Sequence, residues 1–160
     1  MLLWTSTRPL QVSDFKFAVI DSTSEQRPQS SASIGFSWQM IGYRVPKDSR
    51  DWVKANFAQD ISFIDPAADT LQVLRLHQIE FDIFELYARQ MRQLIKQNRK
   101  EIDNGEDFQR LLDEPTVRCN KRIMEFRMDT DYGRRRERFA RWQEIIAGEL
   151  EALKEFGLDE

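Results

Sequence analysis

His77 is the only histidine in the chain, and Glu80 follows it three positions later in Leu76-His77-Gln78-Ile79-Glu80-Phe81-Asp82-Ile83. On a helix that spacing sets an imidazole and a carboxylate side by side, which is half of a metal site. Asp129 or Asp131 would have to complete it. The plainer alternative is a partly buried histidine hydrogen-bonded to a neighbour. Asp82, Glu85 and Arg89 recur by threes and fours further along the same segment. They read either as an ion-pair ladder that fixes the helix or as a polar cleft with general acid–base capacity. The ladder is the simpler reading. Cys119, the only cysteine, has no nearby base to activate it and reads as a small buried residue.

Arg134, Arg135, Arg136, Arg138 and Arg141 form the densest basic run. At the start of a helix such a run opposes the dipole, so nearby acids such as Asp129 and Asp131 are expected to offset it. A solvated, ion-paired face follows. An anion or nucleic-acid surface is the alternative, interleaved by Phe139 and Trp142 alone. No glycine-rich phosphate loop and no nucleophile elbow occur.

These residues need elements to position them. Phe15 to Ile20 reads as a strand, and residues 21–32 have a loop composition. Ile34, Phe36, Trp38 and Met40 alternate with small or polar residues, which places them on one sheet face. The alternation changes parity at Ile41, Tyr43 and Val45, and Gly42 at the change predicts a bulge. Val53, Ala55 and Phe57 predict another strand, and residues 61–64 a short one. Asp65 and Pro66 then open a long helix over about 66–100, with Asp69 in its first turn. Its stripe is Leu71, Leu74, Phe81, Phe84, Ala88, Met91 and Ile95. Asn104-Gly105 ends it. A shorter helix covers about 106–113, Pro115 restarts one to about Met128, Gly133 breaks the chain, and a last helix runs from 134 to 156 before Gly157.

The expected fold is therefore α+β: a small, mainly antiparallel N-terminal sheet packed on about three helices. One domain over 1–160 is expected, strand-rich to residue 64 and helical from 65. A length of 160 residues, 41% of them hydrophobic, suits one modest core. The net charge of −3 gives no general basic field, so nucleic acid is not expected as a partner. No apolar run is long enough for a membrane span. The first residues lack the basic and apolar regions of a signal peptide.

The segment from Leu76 to Ile83 resembles the active helix of a bacterial family of secreted zinc-dependent proteases, first described as a domain of unknown function. That helix reads His-Glu-Gln-x-His-Phe-Asp-Ile. Gln78, Phe81, Asp82 and Ile83 match it, and Glu85-Leu86-Tyr87-Ala88-Arg89 continues in the same style. Asp14-Phe15-Lys16 resembles the family's Trp-x-Asp-Phe segment, with Val12 in place of Trp. Ser33-Ile34-Gly35-Phe36, Ala55-Asn56-Phe57 and Ser62-Phe63 resemble its strands. Phe126-Arg127-Met128-Asp129-Thr130-Asp131-Tyr132-Gly133 resembles its Tyr-Asp-x-x-Thr-x-His-Gly turn, and Trp142 and Ile145 fall where its last helix has Trp and Ile.

The resemblance implies a zincin-like fold and a site between the long helix and the later turn. In a His-Glu-x-x-His helix the two histidines lie about 40° apart around the axis and hold one zinc, while the Glu moves the proton of the bound water. Here Leu76 stands at the first ligand position, His77 at the general-base position, Glu80 at the second ligand position and Tyr132 where the turn has its His. Leu76 offers no lone pair, and Tyr132 binds metal poorly near neutral pH. The former site is thus degenerate, with no catalytic residues, no metal and no cofactor expected. Leu76 is expected to be buried against the sheet or the last helix. The implied function is a non-catalytic, exported or periplasmic relative that binds a protein, peptide or glycan through a cleft near His77, Glu80, Asp82 and Tyr132. The alternatives are a metal-dependent hydrolase rebuilt around His77 and Glu80, and a structural subunit of an envelope complex.

Overall fold

The computed structural model describes residues 1–17, 32–37, 45 and 49–158. Among these, strands β1 (Leu2–Leu3), β2 (Lys16–Phe17), β3 (Ala32–Phe36), β4 (Val53–Phe57) and β5 (Phe63–Ile64) precede helices α1 (Thr70–Gln97), α2 (Gly105–Asp129) and α3 (Arg136–Ala152). The fold is α+β. β1, β4 and β3 form an antiparallel sheet in that order, with Ile34 opposite Ala55. β2 and β5 pair in parallel.

Strand β4 has the alternation its sequence predicts: Val53, Ala55 and Phe57 are buried on one face. Ile34 is half-buried, whereas Phe36 at the end of β3 is exposed. Trp38, Met40 and the bulge expected at Gly42, with Ile41 and Tyr43, lie outside the described residues, as do residues 18–20 of the expected first strand. Residues 59–61 form a 3-10 turn instead of the start of a strand.

Helix α1 carries no Gly or Pro over its 28 residues, so nothing interrupts its backbone. It begins later than the sequence suggests. The Asp65 carboxylate accepts from Ala67 N and closes a turn, while the Asp69 carboxylate accepts from Gln72 N and caps the helix. Pro66 belongs to the turn. Leu71, expected in the core stripe, is exposed on the first turn. The helix stops at Gln97. Asn104 then caps α2 by accepting from Glu106 N and Asp107 N, and Gly105 opens that helix instead of ending the previous one.

α2 is one helix, not two. Pro115 sits inside it and is buried. A proline removes one backbone donor and is unfavourable in a helix interior. Burial of Phe108, Leu112, Cys119, Ile123 and Phe126 on either side of it holds the helix continuous. α3 is shorter than expected: it ends at Ala152, and residues 154–156 form a single 3-10 turn before Gly157.

Two apolar clusters share α1 as their common wall. One face of α1 (Phe81, Ala88, Met91, Ile95) packs on β4, Ile64 and the start of α2. The other (Ile79, Ile83, Leu86, Tyr87) packs on the later part of α2 and on Phe139 and Ile146 of α3. Residues that point from either face of α1 are therefore held in fixed directions, and the polar ones among them define the candidate site.

Candidate functional site

His77 and Glu80 are both buried on α1, and His77 Nδ1 lies 3.2 Å from Glu80 Oε2. An ionised carboxylate only accepts, so the shared proton sits on Nδ1. The Phe15 ring flanks the imidazole at 5.7 Å. The other Glu80 oxygen accepts from Arg127 Nε of α2 at 2.6 Å. Burial raises the cost of the Glu80 charge, but hydrogen bonds from His77 and Arg127 outweigh it and hold the carboxyl down at about 2. Glu80 is thus an anion enclosed between an imidazole and a guanidinium.

Leu76 is half-buried and packs into the second cluster, among side chains of α1, α2 and α3. It was expected to be buried, and it packs against the cluster that includes the last helix but stays only half-buried. The turn after α2 brings Gly133 up to the Leu76 and Gln72 side chains, and the adjacent Tyr132 is 40% exposed. That turn is built on buried Thr130, whose hydroxyl donates to Phe126 O and accepts from Gly133 N. Asp131 and Tyr132 have φ of 46° and 52°, and Gly133 has 84°, three successive left-handed residues.

The donors do not suit a zinc ion. Leu76 has no donor atom, and Glu80 has its two oxygens on His77 and Arg127. Asp129, considered as a completing ligand, instead accepts from Trp142 Nε1 and pairs with Arg138. Asp131 lies 3.7 Å from Arg134. Among the described residues no three His, Cys, Asp or Glu side chains group as metal ligands.

The expected ladder is half correct. Glu85 accepts from Arg89 Nε at 3.0 Å, but Asp82 does not join them. Its place is taken by Arg92, which binds both Glu85 oxygens and also reaches Val53 O and Phe156 O. Asp82 instead accepts from Trp4 Nε1 at 2.8 Å and Gln78 Nε2 at 2.7 Å. Burial pushes its carboxyl above the ordinary aspartate value despite these bonds. Gln78 accepts from Leu10 N, so Gln78 and Asp82 together fasten the N-terminal segment to α1. Trp4, Asp82 and Arg89 line a cavity of about 570 Å³ against α3. Cys119 is buried, and burial pushes its thiol up to about 12, which keeps it protonated and unreactive.

Sequence reasoning missed Arg127 and Arg92. Arg127 lies 47 positions from Glu80, and no local spacing announces such a pair. Arg92 continues the three-and-four spacing beyond Arg89, a signal that stood one step past the residues considered. Neither a family model, nor a curated protein, nor a solved structure matches this chain.

Proposed function

We propose that this protein is a non-catalytic relative of zinc-dependent peptidases that works as a binding or structural protein for a peptide, a glycan or another protein. The reading is supported by one observation above all: the carboxylate at the former second ligand position, Glu80, is buried and enclosed by His77 and Arg127. A zinc ion would have to displace both groups and would still find Leu76 where its first imidazole belongs. Export or a periplasmic location belongs to the same proposal and rests on the resemblance. A binding role is supported by the cavity lined by Trp4, Gln78 and Asp82, which opens on another side of α1 from Glu80, since helix residues two apart point about 160° apart.

The test is metal content and metal dependence of the purified protein. Elemental analysis is expected to find zinc well below one per chain, and the thermal midpoint is expected to stay unmoved by EDTA. A ligand that binds only the folded state would raise that midpoint. Stoichiometric, tightly held metal, or a fall of several degrees with chelator, would favour a metal-dependent enzyme rebuilt around His77 and Glu80.

A further inference from the structure

We infer that the cavity between the first turns of α1 and the start of α3 binds a small multivalent oxyanion that carries an apolar portion. The cavity has a volume of about 690 Å³. Three guanidinium groups line it, from Arg75, Arg134 and Arg136. Its one acidic lining residue, Asp69, already accepts from Gln72 N as the cap of α1. Arg134 has a loose contact with Asp131 at 3.7 Å, and no carboxylate pairs with Arg75 or Arg136 among the described residues. Arginines elsewhere on the helices, such as Arg110, Arg118 and Arg122, do have carboxylate partners.

Like charges gathered around a concavity repel one another, and here Asp69 is the one acidic side chain on the wall against three arginines. Arg136 also opens α3, whose first turn adds positive partial charge, and Arg135 at the cap makes no capping bond. The acids expected to offset this run do so in part, Asp129 pairing with Arg138 and Asp131 loosely with Arg134, which leaves Arg136 without a carboxylate partner among the described residues. A guanidinium fork matches two oxygens of a phosphate or carboxylate group, and three such forks match an anion with more than one acidic group. Apolar side chains are interleaved with these arginines, Leu71 one turn before Arg75 on α1 and Phe139 and Ala140 one turn after Arg136 on α3. Leu71 faces this space and not the core, which accounts for its departure from the helix stripe. A concave volume of this size suits a small molecule better than a polymer groove. The net charge of −3 argues the same way, since it offers a nucleic acid no extended basic track.

This inference does not depend on the peptidase resemblance, so a metal result and an anion result decide separate questions. Calorimetric titration of the full chain with pyrophosphate and with citrate, at fixed ionic strength, tests it and separates phosphate from carboxylate preference. Saturable binding of at least one probe is expected. The double variant R75Q/R136Q is expected to weaken it by about tenfold or more. Lys100→Gln, in the turn after the far end of α1, is expected to leave it within about twofold. All three substituted side chains are exposed, so folding is retained. No saturable heat with either probe would overturn the site. So would unchanged binding in the double variant, or an equal loss in the Lys100 variant.

Discussion

The Glu80 carboxyl is held at about 2 in the folded protein, whereas an unfolded glutamate titrates near ~4.3. A depressed folded value means stability that is fully present above the unfolded value and is lost as pH falls toward the folded one. That difference corresponds to about 3 kcal/mol. Glu80→Gln is therefore expected to lower stability by about 2–3 kcal/mol at pH 7, measured by denaturant unfolding. The gap between variant and parent is expected to close as pH falls from about 5 to about 2. A gap that stays constant over this range would show that the His77 and Arg127 contacts are not its source. Spacing alone brought His77 and Glu80 together, because three positions on a helix leave little freedom. It could not supply Arg127, which α2 delivers from a distant part of the chain. Nor could it say that Asp82 would turn to Trp4 and Gln78, since that partner choice depends on where the N-terminal segment lies.

Secondary-structure elements were legible where one physical rule acted alone. The alternation of Val53, Ala55 and Phe57 gave β4, and the threes and fours from Leu74 to Ile95 gave α1. Boundaries were less legible where two residues compete for one task. Asp65 and Asp69 can each cap, and the turn through Pro66 gives Asp65 to Ala67 and leaves the helix to Asp69. Pro115 was misread because its backbone cost is local, whereas the burial that overrides it is tertiary. Gly133 was legible as a break, and its φ of 84° explains the choice of residue. An added methyl there would have its nearest neighbours, Gln72 and Leu76 side-chain atoms, at 3.7 Å, an ordinary contact. The cost of Gly133→Ala is thus conformational alone, about 1–2 kcal/mol, readable from a shift in the denaturant midpoint. A variant as stable as the parent would mean that the turn after α2 does not hold its left-handed backbone.

Across the whole molecule the sheet-plus-helices class was legible from order alone, strands first and helices after, while the arrangement of two apolar clusters on opposite faces of α1 was not. The stripe of α1 pointed to one buried face; the second face, with Ile79, Ile83 and Leu86, becomes buried only because α2 and α3 both return to it. The same return closes the Glu85 cluster, in which Arg89 reaches Leu150 O and Arg92 reaches Phe156 O and Val53 O. One buried carboxylate thus holds strand, helix and chain end in register. Removing Glu85 would leave two guanidinium charges in the interior without their carboxylate.

A helix that is wall to both compartments has no side from which it can be opened separately. Backbone amides of α1 between Phe81 and Met91 are expected to exchange with deuterium only when the entire chain comes apart, at the slowest rate in the molecule. Their protection should match the free energy of global denaturation, whereas amides of the three left-handed residues after α2 should exchange through small local openings. Faster exchange at Ile83 or Ala88 than in α3 would mean that the two halves part along this helix.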